Sequence, residues 1–313
     1  MLQADAAQPS RVRAFAARHP VAAFLILVFL IAYPVMGLLV LAVHGVIPGA
    51  ALLQRLPVGP DELAGLALTV GALLPAAIFV TWAAEGRPGL TRLGRRVIRW
   101  RFGVGWWLVV LVGLPVLTLV SALVLGDTPQ SIDPAELLVD QLQLLLINFL
   151  LVNLWEEAAW TGVVQTHLER RHGVFLAAVL TAVPFGFAHW PLAFLGDVTV
   201  TSALVSLGLF LVLGALVRPP FGLTLRGSRD SVLAVALMHS VFNRTNNADG
   251  ISARLLAGDR YQLGVVVALV LLTTVLALVL RGRLGPAFRR RLDGIAGPRT
   301  TVPTAQTQPY LQP

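Results

Sequence analysis

The chain has 313 residues, of which 56% are hydrophobic and only 13% charged, with a formal net charge of +8 and no cysteine. An ordinary soluble domain carries about 25% charge, so this composition excludes a soluble globular fold, an intrinsically disordered chain and a disulfide-stapled secreted domain. Thiol catalysis and cysteine metal sites are excluded with them, and the all-arginine positive excess reads as membrane-face anchoring instead of a nucleic-acid surface.

Largely uncharged stretches long enough to cross about 30 Å of hydrocarbon recur along the chain. In order they are 21–47, 63–84, 104–125, 137–166, 174–195, 199–217, 231–247 and 261–280. The first is too long for the apolar core of a signal peptide and reads as a retained helix kinked at Pro34. The seventh is the shortest and runs into the polar stretch Asn243-Arg244-Thr245-Asn246-Asn247. The expected fold is therefore an all-α, polytopic bundle of about eight transmembrane helices. Its parts are a cytoplasmic N-terminal segment at 1–20, a helical domain at 21–285, and a flexible cytoplasmic tail at 286–313, rich in Pro, Thr, Gln and Arg. Eight spans leave only Arg55, Arg244, Arg254 and Arg260 on one face and the other arginines in loops and tails on the opposite face. By the positive-inside rule both termini lie in the cytoplasm, and a multi-pass protein of a bacterial inner membrane is expected.

Against that background four acidic or histidine residues stand well inside spans, away from the span ends: Glu156 and Glu157 in the fourth, His189 in the fifth and His239 in the seventh. Burying such groups costs several kcal/mol each unless they are paired or hydrated, which makes them functional candidates. Glu156 and His189 each lie fifteen residues from the turn at 171–174. At 1.5 Å per residue both sit about 22 Å from it, level with each other. His239 and Asn243 share a helix face at i, i+4, and Asn243 reaches a similar depth. A glutamate beside a histidine in a low-dielectric pocket can take a proton from water, and a second histidine with an asparagine can stabilise an oxyanion. Together these are parts for hydrolysing an amide within the membrane.

The segments Glu156-Glu157-Ala158-Ala159-Trp160-Thr161-Gly162, Phe185-Gly186-Phe187-Ala188-His189 and His239-Ser240-Val241-Phe242-Asn243 carry a resemblance. They resemble the Glu-Glu-x-x-x-Arg, Phe-x-x-x-His and His-x-x-x-Asn/Asp motifs of the CAAX prenyl protease and bacteriocin-processing (Abi) family. The likeness covers about residues 137–250, and three ordered motifs on separate helices make it specific where any one alone would be weak. The resemblance implies an eight-helix intramembrane endopeptidase. In it Glu156 and His189 activate water, His239 and Asn243 form the oxyanion site, and Glu157 supports them. Thr161 departs from the pattern, standing where the first motif has arginine; Arg244 is one conceivable substitute.

Taken singly, His189 reads more readily as an interhelical hydrogen-bonder, and Phe185, Trp155 and Trp160 as packing residues. Only the matching depth of Glu156 changes that balance. There is no His-Glu-x-x-His zinc signature. Glu156, His189 and His239 could still form a two-histidine, one-carboxylate zinc site, and a metal-free glutamate mechanism fits the same residues. The partners expected are membrane lipids and a membrane-associated peptide or protein substrate, with no nucleic acid. Two rival functions stand beside the peptidase: a proton-coupled transporter relaying protons through the same acids and imidazoles, and an inactive family member acting as an immunity or binding protein.

Overall fold

Six helices in the computed structural model are long and apolar enough to cross a membrane, among the described residues, which are 10–296 apart from 54, 57, 197 and 198. The spans are Pro20–Val43, Pro60–Val97, Val104–Val124, Pro134–Phe194, Val200–Gly227 and Tyr261–Val279. The protein is an all-α, integral multi-pass membrane protein, and the only sheet among the described residues is a two-residue ladder pairing Thr128–Pro129 with Leu256–Ala257. Large apolar side chains such as Leu30, Leu209, Val212 and Leu278 face outward, while arginines and carboxylates lie inside. That inverted distribution suits a hydrocarbon solvent.

The fourth of these spans reverses direction within itself. As one straight helix it would hold Glu156 and His189 about 50 Å apart, yet their side chains meet at 3.2 Å. The reversal is at Gly173, with φ of 73°, where an added Cβ would press to 3.0 Å from the Leu284 carbonyl oxygen. Only glycine takes that conformation without strain. Two passes, 134–172 and 174–194, therefore replace one.

The main helices are numbered as follows: α1 Arg11–Arg18, α2 Pro20–Val43, α3 Pro60–Val97, α4 Val104–Val124, α5 134–172, α6 174–194, α7 Val200–Gly227, α8 Val232–Asn246, α9 Ile251–Leu255, α10 Tyr261–Val279 and α11 Pro286–Ala296. Their starts are written into the sequence. Asp133 accepts hydrogen bonds from the Ala135 and Glu136 amides ahead of Pro134. Thr199 and Ser202 cap α7 reciprocally, and Ser231 caps α8 through the Ala234 amide. The seventh expected span, α8, has 15 residues and is buried along nearly its whole length. At about 22 Å it is shorter than the hydrocarbon layer and serves as a central strut instead of a lipid-facing pass.

Three sequence expectations are corrected. Arg218, assigned to a loop after a span at 199–217, lies inside α7, which continues to Gly227. The arginine-rich run after residue 86 is the last part of α3, turned at Gly86, and its Arg96 is buried. The flexible tail expected from 286 begins instead as α11, whose Arg289 is buried against Asp230; residues 297–313 lie outside the described residues. The reason is common to all three: each arginine is stabilised inside the protein by a carboxylate on another element.

Two apolar clusters meet along α5. One gathers α4, α8, α10 and the second half of α7, and includes Ala158; the other gathers α2, α3 and α6, and includes Ala159 and Trp160. Glu156 and Glu157 sit at that seam.

Candidate active site

The acidic pair occupies a short α-helical stretch, Leu154–Ala159, flanked by π-helical turns at Phe149–Asn153 and Trp160–Gln165. Such wide turns recur at functional sites because they rotate side chains out of ordinary helical register. Adjacent residues on a helix point about 100° apart, so the two carboxylates address different neighbours.

Glu156 turns toward α6 and α8. Its Oε1 lies 3.2 Å from His189 Nε2, and its Oε2 lies 3.8 Å from His239 Nδ1 and 3.5 Å from the Asn153 amide nitrogen. Although near His189, Oε1 is buried without an aligned hydrogen-bond donor. His189 Nδ1 lies 2.8 Å from the Phe185 carbonyl oxygen, which can only accept, so Nδ1 carries hydrogen and Nε2 is the nitrogen free to exchange a proton. The His189 side chain is 17% exposed against 3% for Glu156, so the pair is open from the histidine side.

Glu157 turns toward α7 and α8. Arg218 Nη1 donates to its Oε2 at 2.9 Å, the Thr161 hydroxyl donates to the same oxygen, and His239 Nδ1 donates to Oε1 at 2.9 Å. Asn243 completes the constellation through Asn153: the Asn243 amide and the Ser240 hydroxyl approach Asn153 Oδ1 at 3.5 and 2.8 Å. All five expected residues, Glu156, Glu157, His189, His239 and Asn243, are therefore joined by direct contacts or through Asn153.

Aromatic rings close the pocket. The Phe185 ring lies 4.2 Å from His189 and 6.4 Å from His239 between centroids, and Phe221 lies 5.3 Å from His239. Trp160 packs edge-on against Phe185 and Phe24. These walls keep the local dielectric low, which strengthens every charge interaction inside.

Two members were absent from the sequence reading. Asn153, three residues before Glu156, carried a weak signal as a polar residue one helical turn from an intramembrane acid. Arg218 carried none, because a lone arginine before Pro219-Pro220 looks like a loop anchor. Arg244, the conceivable partner of the acidic pair, is held elsewhere, on Gln141 Oε1 at 3.1 Å and the Asp249 carbonyl oxygen at 3.0 Å.

The donor set does not fit a metal ion in this arrangement. Of the expected set Glu156, His189 and His239, Glu156 approaches His239 on the Nδ1 side already bonded to Glu157, and among the described residues no three His, Asp or Glu side chains are grouped to hold an ion.

Fold and site together define a polytopic helical membrane protein with two acids, two imidazoles and a carboxamide gathered inside its bundle. Residues 138–245, from near the start of α5 almost to the end of α8, match the family model for Rce1-like type II CAAX prenyl endopeptidases. Glu156, Glu157, His189, His239 and Asn243 all lie within the match, which supports an intramembrane endopeptidase. Comparisons with curated proteins and with solved structures gave no match.

Proposed function

We propose that this protein hydrolyses a peptide bond of a membrane-associated substrate with water activated by Glu156 and His189. The observation that carries the reading is the placement of Glu156 Oε1, buried, lacking an aligned donor and 3.2 Å from a histidine nitrogen able to exchange protons. A water held there loses a proton to Glu156 as its oxygen attacks the scissile carbonyl carbon. The oxyanion is met by the Asn243 amide and by His239 Nε2. Because His239 Nδ1 already donates to Glu157, Nε2 donates to the oxyanion only when the ring carries a second proton. The C–N bond then breaks as the abstracted proton passes, through Glu156 or His189 Nε2, to the leaving amine. A carboxylic acid and an amine result, which settle as carboxylate and ammonium once the acid's proton passes to the amine, and the residues return to their starting protonation.

The departure at Thr161 does not argue for an inactive protein, because the acidic pair has an arginine from α7 instead. The arginine-rich end faces the cytoplasm in this proposal. Arg96, Arg218, Arg226 and Arg289 are buried and drop out of the charge count, and the exposed arginines keep its direction.

The test uses purified protein in detergent with a set of synthetic amphipathic peptides, cleavage being read by mass spectrometry. Wild type cleaves, and folded Glu156→Gln and His189→Ala variants do not. Full activity in either variant overturns the mechanism. Proton-coupled flux into liposomes with no cleavage would favour the carrier.

A further inference from the structure

Arg218 is wholly buried near the middle of the bundle, and its surroundings are unusual for an ion-pair arginine. Nη1 reaches Glu157 Oε2 at 2.9 Å and the Thr161 hydroxyl oxygen at 3.3 Å, while Nε and Nη2 are buried with no hydrogen-bond acceptor. What covers the guanidinium instead is aromatic: its central carbon lies 4.4 Å from the Phe185 ring centroid and 5.6 Å from that of Phe221. Ring faces attract a cation, and in a dry setting this attraction offsets part of the lost hydration. The same two rings border His189 and His239.

We propose that Arg218, clasped by Phe185 and Phe221, is the positioning residue that holds Glu157 as a fixed carboxylate and, through it, holds the His239 ring with hydrogen on Nδ1. This rests on the peptidase reading and deepens it by dividing the labour between two adjacent acids. Glu157, tied to a guanidinium that does not give up its proton, orients. Glu156, facing imidazoles, moves protons. The chain thus supplies from α7 the arginine that its own acidic motif lacks at Thr161, one turn along α5 from Glu157. Thr161 remains as a bridge, donating to Glu157 and accepting from Arg218. Arg218 touches no reacting atom and acts only through Glu157 and His239.

The test compares wild type with Arg218→Leu, Arg218→Lys and the double variant Arg218→Leu/Thr161→Arg. All are taken as full-length protein in detergent and checked for folding by size-exclusion chromatography and thermal unfolding. Two readouts are used: peptide cleavage with kcat and KM separated, and 15N spectra of histidine-labelled protein with the His239 ring assigned through His239→Gln. Arg218→Leu is expected to lower kcat about a hundredfold with KM within about threefold, as for loss of an interaction expressed mainly in the transition state. Its His239 ring signals are expected to leave the pattern of Nδ1 bonded to a carboxylate. Thr161→Arg in that background should return at least about tenfold of kcat together with the wild-type ring signals, which simple repair of packing would not do. The proposal is overturned if folded Arg218→Leu keeps kcat within about threefold, or keeps wild-type His239 signals, or if the double variant restores neither. Should Arg218→Leu fail to fold, Arg218→Lys decides: a lysine that preserves the ring signals and some turnover supports the assignment, and one that folds with unperturbed kcat and altered signals overturns it. If wild type cleaves no peptide, the peptidase reading fails, while the ring signals still test Arg218.

Discussion

Among the described residues, one buried polar cluster lies about midway along the bundle and another at its arginine-rich end, and the two are built from overlapping residue types. At the end, Asp230 receives Arg96 and Arg289, with Arg289 Nη1 2.6 Å from Oδ1 and Arg96 Nε 2.9 Å from Oδ2. Asp293 takes Arg170 at 2.7 Å and Arg289 at 2.9 Å, and Glu169 takes Arg226 at 2.9 Å. Every carboxylate there faces guanidinium, which stays charged, so the cluster fastens α3, α5, α7 and α11 without moving protons. Midway, Glu157 faces a guanidinium as well as the His239 ring, while Glu156 faces imidazoles with no guanidinium bound to it, and imidazole is the side chain that exchanges protons near neutral pH. Charge burial alone therefore does not mark a reactive site; the chemistry of the partner does.

The sharpest way to break this contrast is to neutralise one acid in each cluster. Glu156→Gln should lower kcat about a thousandfold, roughly 4 kcal/mol of barrier, with little change in the thermal midpoint, because it removes the proton acceptor and keeps the shape. Asp230→Asn should do the reverse. It removes the negative charge shared by two buried guanidinium groups, leaving Arg289 only Asp293 and Arg96 only neutral acceptors, and costs about 3 kcal/mol of stability, seen as a lower thermal midpoint, while the folded fraction keeps kcat within about twofold. If Asp230→Asn abolishes turnover in folded protein, the end cluster is not merely a fastening.

A pH series sharpens the same point. Burial alone would raise the Asp230 and Asp293 carboxyls, but Arg96 and Arg289 around Asp230, and Arg289 and Arg170 around Asp293, outweigh it and hold both below the usual carboxylate range. A carboxyl depressed in the folded state stabilises above its unfolded value and loses that contribution as pH falls through the folded one. The thermal midpoint of wild type should thus show no loss from these two groups until about pH 4 and then decline, and Asp230→Asn should flatten the decline. An equally steep acid limb in the variant would remove Asp230 from the account.

How far the site was legible follows from what each residue's signal was made of. Glu156 and His189 could be placed level because helical rise is fixed and the turn at Gly173 lies almost midway between them in sequence. His239 and Asn243 followed from i, i+4 spacing. Arg218 was not legible: Pro219-Pro220 signals the end of a helix, yet α7 runs on to Gly227, and one sequence cannot tell an anchoring arginine from one matched to a carboxylate on another helix. The same ambiguity hid Arg96 and Arg289. The tail misled through composition, since Pro286 looks like linker but starts α11 at the position where a helix tolerates proline. The polar run at 243–247 does close α8 at Asn246, but it did not reveal that Arg244 and Thr245 are buried there, satisfied on Gln141 and on the Val241 carbonyl oxygen.

Arg244 offers the smallest and most discriminating effect. It stands next to Asn243 and is buried, so by position alone it is as good a partner for the acidic pair as Arg218. Its contacts point away from the acids: Nε reaches Gln141 on α5, and Nη2 reaches Asp249, whose carboxylate is 64% exposed and stays hydrated if the arginine is lost. Arg244→Gln should therefore lower stability by only about 1 kcal/mol, the worth of one hydrogen bond to a charged group partly replaced by the new amide, and leave kcat within about threefold. Thermal unfolding and peptide cleavage on one preparation measure both. A hundredfold loss of kcat in that variant, against a small loss in Arg218→Leu, would exchange the two arginines' roles and with them the division between the acid that orients and the acid that reacts.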